Sequence, residues 1–477
     1  MSVSTQASGA QHWPDSWKVL EHGIRSGRYT DPAFMRLEFE KLWSKVWQAA
    51  ARLDEIPEPG DFTTYDIGDQ SVIVVRIDAN TIKTYHNVCP HRGTALSAGG
   101  CGHFKGGKII CPFHGWRWNL EGQNQYVLER SQFRGGNLQN SDVALREVHH
   151  EVFAGFVFIS FDRNPQPFDE FIAPVRELME GLAIGDMHHY WWKSIPIESN
   201  WKVAQEAFFE GYHVPATHPQ LEPDAAEIIF DGNPDAAAEA TFAHKNVVYE
   251  NFAYGHGRFF AGRNTAMQGQ SKPQQGAVDP VDVMADRLNL LVTGMDAMVL
   301  AEDVELVRSL KGKPIPEGSS LGGEYVKALY TTAAMQKRPM PKPVPEILRM
   351  WGGEIFIFPN LLILPQAGNA MMYRVRPDPR DPNRCSFEIF STRTYPAAVT
   401  PPRAVMQQVT DPEDPEQVLQ IPRQDLGNIS RMQRGLHSKG CKQIWLAVEE
   451  EKMILNMHQE LDRYLDDSQP AAGARAA

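Results

Sequence analysis

Hydrophobic residues recur at helical spacing near the start of the chain and then give way to short, strand-like runs. Phe39, Leu42, Trp43 and Val46 fall on one face of a helix, so residues 17–48 are predicted to be helical. Runs rich in branched and aromatic residues follow, separated by Gly, Asp and Asn turns, and they predict an all-β module. The runs cover residues 71–77, 81–88, 108–110, 116–118 and 153–161.

Two prolines at positions 165 and 167 end this pattern and predict a domain boundary. Beyond it the pattern predicts an antiparallel sheet flanked by helices, so the fold class is α+β. Strands are predicted at 187–197, 354–364, 371–375 and 386–394, and helices at 201–212, 424–437 and 448–465. Residues 223–345 carry Gly- and Pro-rich patches around one amphipathic run, 281–310, and we expect helices and lid-like loops there.

Composition excludes several classes of protein. The net charge of -12 argues against a nucleic-acid partner, because phosphate binding needs clustered Lys and Arg. Five cysteines in 477 residues do not form a disulfide framework. Residues 1–17 lack the pattern of a secretory signal, and no apolar run is long enough to span a bilayer. These features predict a soluble, cytoplasmic protein without a membrane partner.

Two short loops carry the most specific chemical pattern in the chain. Cys89 and His91 are followed, after nineteen residues, by Cys111 and His114, each pair flanked by Pro and Gly. This set suits a 2Fe-2S cluster in which one iron takes the two thiolates and the other takes the two imidazoles. A structural zinc is the alternative, although its ligand pairs usually read C-x2-C or H-x3-H. A chance arrangement without metal would need the same spacing and the same flanking residues twice.

Local charge near these loops is opposite to that of the whole chain. Arg92, Lys105, Lys108 and Arg117 lie in or beside the loops. Such a basic rim could steer an acidic electron donor toward the cluster. Ordinary solvated loop charge is an equally good interpretation.

A second candidate metal site lies in the C-terminal part of the chain. Glu210 and His213 are three residues apart and would share a helical face, and Pro215 is expected to end that helix so that His218 can turn back. Two imidazoles are two thirds of a facial triad, which leaves positions open on Fe(II) for oxygen and substrate. The third ligand should be a carboxylate. The candidates by chemistry alone are Asp303, Asp425, Glu449 and Glu450.

These motifs resemble those of a known family. C-P-H-R-G and C-P-F-H-G-W stand as in a Rieske domain, over approximately residues 45–165. The N-W-K run at 200–202, the E-x2-H-x4-H segment and the D-x7-Q-x-G-L motif resemble the catalytic α subunit of Rieske non-heme iron oxygenases of the ring-hydroxylating type. The last motif stands here as Asp425, Gln433, Gly435 and Leu436, so the resemblance implies that Asp425 is the third iron ligand.

The resemblance also implies a domain plan and a fold. It divides the chain into an N-terminal helical segment (1–44) that packs on the catalytic domain, a Rieske domain (45–165), a catalytic iron domain (166–466) with a helix-grip-like sheet, and a disordered tail (467–477). The implied cofactors are a Rieske 2Fe-2S cluster and a mononuclear Fe(II).

Partners and mechanism follow from the same resemblance. It implies a homotrimer of α subunits, with or without a β subunit, in which Glu210 is the catalytic carboxylate that bridges His213 and His114 of the partner subunit. A reductase or ferredoxin would deliver electrons from NAD(P)H, because no G-x-G-x-x-G fingerprint is present in this chain. The expected reaction uses O2 to hydroxylate a small molecule.

The leading prediction is dihydroxylation of an aromatic substrate in aromatic hydrocarbon catabolism. The alternative is a monooxygenase or demethylase acting on a quaternary amine or another non-aromatic substrate. Glu210 favours the alternative, because many ring-hydroxylating members carry Asp there. Ala207 also departs from the family, which tends to have Asn at this position. A third interpretation is that the protein is an electron carrier. Four apolar residues are either pocket-lining or plain core residues: Phe208, Phe209, Phe356 and Phe358.

Overall fold

The computed structural model describes residues 13–466 except 224–225, 227–228, 230–245 and 263–278. The predicted disordered tail, 467–477, lies outside the described residues. Among the described helices, none has both the length and the apolar character that a bilayer crossing requires. The α-helices are Gly27–Thr30, Pro32–Glu38, Phe168–Gly181, Trp201–Glu206, Val214–Thr217, Pro280–Met295, Ala301–Arg308, Leu321–Gln336, Pro345–Leu348, Gln420–Leu436 and Lys452–Leu465.

An eight-stranded sheet forms the centre of the C-terminal domain. Its strands are antiparallel to their neighbours except at one edge, where Met406–Gln408 runs parallel to His188–Ile197. Six of the strands are almost continuously buried or half-buried, because the sheet is covered on both faces over most of its width. In spatial order the strands are Val247–Asn251, Gly257–Ala261, Glu354–Ile357, Leu361–Pro365, Asn369–Pro377, Cys385–Arg393, His188–Ile197 and Met406–Gln408.

The N-terminal domain is built from small β-sheets, as the short apolar runs predicted. A buried cluster that includes Ile73, Tyr85, Ile109 and Trp118 forms its own core. One sheet has the order Ile82–His86, Gln70–Arg76, Asp61–Ile67 and Gly102–His103; a second has Asn124–Tyr126, Arg117–Asn119 and Lys108–Ile110; a third has His149–Phe153, Phe156–Ser160 and Gln48–Arg52. The predicted α+β class, with an all-β domain and an antiparallel sheet flanked by helices, is confirmed. The domain boundaries at 45 and 165 stay predictions.

The N-terminal segment is only partly helical, which corrects the prediction for residues 17–48. Val19–Leu20 and Gly23–Arg25 form a hairpin that pairs with Gln443–Trp445, and helical structure begins at Gly27 and continues through a π-helix, Phe39–Trp43. Gly23 is required in this sheet, because a Cβ there would meet the carbonyl oxygen of Ile444 at 2.4 Å. The segment packs on the catalytic domain through Glu38, which contacts Trp201 and Lys202.

Helices are present in the 281–310 run, as expected: they are Pro280–Met295 and Ala301–Arg308, and Asp296 between them adopts a left-handed conformation with φ 49°. Two further predictions differ from the structure in detail. The predicted strand 354–364 is two strands joined by a turn at Pro359, which lacks the N–H needed to continue a ladder. The predicted helix 201–212 ends at Glu206.

The Rieske-like module packs on the face of the central sheet opposite the Trp201–Glu206 helix. Arg374 extends from that face and donates to the carbonyl oxygen of Ala50, while Arg376 donates to that of Asp66. Glu388 accepts from both arginines and from the Trp192 indole N–H. Burial raises the free energy of the Glu388 carboxylate, and the two guanidinium groups nevertheless lower its pKa below the usual value. A cavity of about 570 Å³ remains between the module and this face.

Candidate functional site

The two Cys/His loops have the same backbone hydrogen-bond pattern. The Cys89 amide donates to the Thr94 carbonyl and the Cys111 amide donates to the Trp116 carbonyl, both at 2.8 Å. In return, the amides of Gly93 and Gly115 donate to the carbonyls of Cys89 and Cys111, both at 3.0 Å. Gly93 and Gly115 have φ angles of +79° and +67°, a conformation that side chains disfavour. The spacing in the sequence therefore produces two matching turns, each presenting one thiol and one imidazole.

The side chains in these loops fit a shared cluster. The imidazoles of His91 and His114 lie with ring centroids 4.7 Å apart, and His91 stacks on Trp116 at 4.6 Å. His91 Nδ1 is buried and has no hydrogen-bond partner among the described residues, as expected for an atom that ligates iron. Burial raises the pKa of the Cys89 thiol to about 11, so a bound metal would be needed to hold it as the thiolate.

Two residues between the loops do not join them. The Cys101 thiol contacts the Thr63 hydroxyl at 3.4 Å, and His103 Nδ1 lies 2.9 Å from Asp61 Oδ1. Cys101 is a free, exposed cysteine that contacts Thr63 rather than the four candidate ligands. His103 lies in the strand Gly102–His103.

The structure brings together His213, His218 and Asp425 in the catalytic domain. One ligand atom from each lies within 4.8 Å of the others. His218 Nε2 is 2.9 Å and His213 Nε2 is 3.8 Å from Asp425 Oδ1. This set of two imidazoles and one carboxylate fits a 2-His-1-carboxylate iron site.

The chain turn that places the two histidines differs from the one expected. The first helix ends at Glu206, and Pro215 lies at the start of a second short helix, Val214–Thr217, rather than ending the first. After the first helix ends, the His213 amide has no helical acceptor and donates instead to Glu210 Oε2 at 2.9 Å. His218 follows the short helix, and its ring centroid is 5.5 Å from that of His213.

Both histidines are oriented by a hydrogen bond at Nδ1. Glu210 Oε1 lies 2.8 Å from His213 Nδ1, and Gln424 Oε1 lies 2.9 Å from His218 Nδ1. An acceptor at Nδ1 requires the proton on that nitrogen, which leaves each Nε2 with a lone pair toward Asp425. Burial lowers the pKa of His213, but the Glu210 and Asp425 carboxylates raise it above its ordinary value in the metal-free chain.

The other candidate carboxylates are placed elsewhere. Asp303 is buried at the start of its helix, where its Oδ2 accepts the Leu300 amide at 2.9 Å. Burial raises the pKa of Asp303 to about 6. Glu449 is exposed and pairs with Lys452. Neither these residues nor Glu450 belongs to the group with His213 and His218.

Several residues that support the site were missed by the sequence analysis. Gln424 belongs to none of the recognised motifs. It can orient His218 because it lies next to Asp425 on the same helix. Glu206 is buried and accepts the Tyr29 hydroxyl at 3.0 Å, while His458 Nε2 lies 2.8 Å from it. Burial raises the pKa of Glu206 to about 8. Arg28 donates to His458 Nδ1, so His458 carries its proton on Nε2 and can donate to Glu206.

The four phenylalanines proposed for a pocket are packed side chains. Phe208 stacks on Tyr373 with ring centroids 4.3 Å apart, and Phe209 packs on Phe356 at the same distance. Phe358 lies against Tyr464 of the last helix. Phe208 and Phe209 directly precede Glu210 and anchor it on the sheet.

Comparison with known families agrees with this arrangement. Residues 46–135 match the Rieske [2Fe-2S] domain, and residues 184–290 and 318–467 match the ring hydroxylating alpha subunit (catalytic domain). The chain belongs to the Rieske oxygenase α subunits. The predicted family is confirmed for this Rieske oxygenase subunit, as are its two cofactors: the Rieske domain carries a 2Fe-2S cluster, and catalytic domains of the family bind mononuclear iron.

Curated relatives match part of this Rieske oxygenase subunit. It is 30% identical to the glycine betaine monooxygenase oxygenase subunit of Chromohalobacter salexigens over 49% of the chain and 51% of that protein. It is 31% identical to the chloroplastic choline monooxygenase of Spinacia oleracea over 44% of the chain and 47% of that protein. The matched region therefore spans about half the length of each curated relative.

Solved structures share the fold over most of the chain. The quaternary ammonium Rieske monooxygenase CntA in complex with L-carnitine has a TM-score of 0.59 at 15% identity, covering 93% of this chain and 96% of that chain. Naphthalene 1,2-dioxygenase from Rhodococcus sp. bound to indole has a TM-score of 0.61 at 16% identity, covering 94% and 95%. At these identities the likeness concerns the fold alone.

Proposed function

We propose that this protein is the terminal oxygenase component of a monooxygenase that acts on a quaternary ammonium compound. The observation that carries the oxygenase function is the convergence of His213, His218 and Asp425, with Glu210 bound to His213. The curated relatives named for glycine betaine and choline support the substrate class. They favour the alternative of the sequence analysis over aromatic dihydroxylation, which is supported only by structures that share the fold.

The metal groups would supply the reactive chemistry. When bound, the mononuclear iron offers open positions for oxygen, and the Rieske cluster supplies electrons one at a time. His213, His218 and Asp425 would hold the iron, and Cys89, His91, Cys111 and His114 would hold the cluster. An electron carrier would need only the second set. The presence of the first set, with His218 and Asp425 buried, therefore favours an oxygenase.

Glu210 has two tasks in this proposal. Its carboxylate holds the His213 imidazole through Nδ1 and the His213 backbone through the amide, which fixes the ligand before iron binds. The same carboxylate would accept a hydrogen bond from His114 of the partner subunit and so connect the two metal centres. At 8% exposure the residue is shielded from bulk water, which strengthens both bonds.

The surface around each centre supports a head-to-tail contact between copies. At the Rieske loops, Phe113 and Tyr126 are exposed, and Arg92 and Arg117 lie over these rings at 5.1 and 5.6 Å. On the catalytic domain, Tyr212 is exposed next to His213 in the sequence, and Trp445 and Val448 are exposed shortly before Glu449. Exposed aromatic and apolar side chains at two different surfaces support an interaction patch at each.

Charge at the two patches is complementary. The Rieske patch carries Arg92 and Arg117, whereas the catalytic patch carries Glu449 and Glu450. Glu210 is close to this acidic segment: burial raises the pKa of Glu451, and the Glu210 and Glu450 carboxylates raise it further. A contact between different surfaces of identical chains closes into a ring when its rotation is a simple fraction of a full turn. We propose a homotrimer, the ring that the family resemblance implies.

The electron donor would use the remaining basic rim. Lys105 and Lys108 are exposed near the Rieske loops and suit an acidic ferredoxin or reductase domain. Such steering weakens as ionic strength rises, because salt screens charges beyond about 8–10 Å. We therefore propose a separate reductase or ferredoxin as partner.

The proposed function is tested by iron content and oxygen uptake together. The reconstituted protein should hold three irons per chain, whereas an electron carrier would hold two. With a surrogate reductase and NADH, choline or glycine betaine should stimulate oxygen uptake, and naphthalene should not. Stimulation by naphthalene alone, or two irons per chain, would contradict the proposal.

A further inference from the structure

One buried carboxylate near the catalytic site has no partner in the chain. Glu354 begins the strand Glu354–Ile357 and is fully buried. Neither carboxylate oxygen has a hydrogen-bond partner among the described residues. Burying a carboxyl group without a hydrogen-bond donor is unfavourable, because the group loses its hydration and gains no partner. A group of this kind is kept in a native protein when it serves a ligand or a reaction.

The strand register places Glu354 on the sheet face below the iron-binding segment. Tyr249 pairs with Phe259, and Phe259 pairs with Glu354, so the three side chains share one face. The Tyr249 hydroxyl accepts the Gly211 amide at 3.1 Å, between Glu210 and His213. Glu354 is therefore directed toward the same segment as Tyr249.

Phe356, the next residue of the strand on that face, supports the same position for Glu354. Phe356 lies two positions beyond Glu354, and side chains alternate along a strand. Its ring packs on Phe209 at 4.3 Å, adjacent to Glu210. Glu354 thus lies between the edge of the sheet and the Glu210–His213 turn.

The electrostatic surroundings of Glu354 favour the binding of a cation. Burial, and then the negative charge of Glu210, raise the pKa of Glu354 well above its ordinary value. Burial also raises the pKa of Tyr373, with further contributions from Asp425 and Glu354. Among these acidic groups, Glu210 and Asp425 lie beside the His213 imidazole, whereas Glu354 has no ion-pair partner among the described residues. A proton on Glu354 can neutralise it when the site is empty, and a ligand cation can replace that proton.

The chemistry of the surrounding side chains selects one class of cation. Aromatic rings flank the carboxylate on its sheet face: Tyr249, Phe259, Phe356 and Tyr373. A quaternary ammonium group has no N–H to donate, so it is bound by negative charge and by the faces of aromatic rings. We infer that Glu354 is a specificity-determining residue that binds the quaternary ammonium group of the substrate. This inference rests on the proposed function.

Binding, rather than turnover, tests the inference. The iron-loaded protein is titrated by calorimetry, without reductant, with choline and with its neutral carbon isostere 3,3-dimethyl-1-butanol. Glu354→Gln should weaken choline binding by at least about 30-fold, as expected for a buried charge pair that loses one partner. Binding of the isostere should be unchanged. Glu354→Asp, which keeps the charge, should retain part of the affinity for choline.

Two controls make the outcome decisive. Glu416→Gln removes the same charge from an exposed position in the same domain and should not affect choline binding. Visible absorption of the cluster reports whether each variant is folded. Equal choline affinity in Glu354→Gln and the native protein would overturn the inference. The same holds if Glu354→Gln loses affinity for choline and 3,3-dimethyl-1-butanol to the same extent, or if the native protein does not bind choline. Glu354-dependent binding of choline without oxidation would contradict only the proposed function.

Discussion

The Gln433 side chain accepts a hydrogen bond from the backbone amide of Asn200 at 3.0 Å. Asn200 caps the helix Trp201–Glu206 by accepting the Lys202 amide at 3.0 Å, and Gln433 lies two turns beyond Asp425 on its helix. This bond joins the element that leads to the two histidines to the element that carries the carboxylate. Both residues belong to motifs on which the family resemblance rests, and the structure gives them a physical role.

Replacing Gln433 with Leu should weaken iron binding. The substitution leaves the Asn200 amide without its acceptor, so the two elements lose their fixed relation. Residues that orient metal ligands in this way contribute about 10- to 100-fold in metal affinity. Iron content after dialysis against a chelator measures the effect, and the cluster spectrum should stay unchanged. Arg434→Gln, on the exposed side of the helix, is the control; equal iron retention in both variants would contradict the role of Gln433.

Gly115→Ala should impair cluster assembly through backbone conformation alone. Gly115 has a φ of +67°, and a Cβ there would meet nothing within 4 Å, so the cost of about 1–2 kcal/mol is conformational. Gly135→Ala is a matched control, because Gly135 has a φ of +61° and equally open surroundings in the same domain. Cluster absorbance per chain should fall in the first variant and persist in the second. Equal losses would mean that general destabilisation, and not the ligand turn, is responsible.

Stability should fall as the pH drops below the ordinary pKa of histidine, and His256 should account for part of this loss. Burial lowers the pKa of His256 to about 4, and this effect outweighs the hydrogen bond to the Phe171 carbonyl, which raises the pKa. The Phe358 amide donates to Nδ1 of the neutral ring. The unfolded chain binds a proton at this side chain near pH 6.5, whereas the folded chain does not until about pH 4. The group therefore costs about 2 kcal/mol of stability between pH 7 and pH 5.

Urea unfolding of the native protein and of His256→Gln at the two pH values measures this contribution. The decrease in unfolding free energy from pH 7 to pH 5 should be smaller in the variant, because glutamine does not titrate. An identical decrease in both proteins would show that His256 does not contribute.

Glu210→Gln should leave both metals bound but slow the transfer of electrons between them. Glutamine keeps the size of the side chain and can still accept from His213, whereas the charge that holds the bridging hydrogen bonds is lost. Stopped-flow oxidation of the reduced cluster by oxygen in the presence of substrate reports the transfer. A variant that reoxidises at the native rate would show that Glu210 does not connect the centres.

Local chemistry in the sequence was sufficient to predict the Rieske loops. Cys89, His91, Cys111 and His114 lie in two short turns, and the flanking Gly residues specify the backbone of each turn. The all-β module was predictable for a similar reason, because its strands are short and its turns carry clear Gly, Asp and Asn signals.

The ligands of the mononuclear iron site were harder to predict from the sequence, because they are brought together by long-range packing. Asp425 lies more than two hundred positions after His218. Four carboxylates were candidates for the third ligand by chemistry alone, and only the family motif selected Asp425. The helix 201–212 was predicted too long, since the Glu210 side chain bonds to the His213 amide and competes with the helical pattern. Gln424 and Glu354 carry no local signal, and their roles follow only from the packing of helix and sheet.

The central claim is that electrons reach the iron of one chain from the cluster of a partner subunit. Co-expression of two inactive variants, Cys111→Ser without a cluster and Asp425→Ala without mononuclear iron, tests it directly. Random mixing places an intact cluster beside an intact iron at about a quarter of the sites of a ring, so the hybrid should regain about a quarter of native activity per chain. A hybrid as inactive as its parents would contradict transfer between subunits.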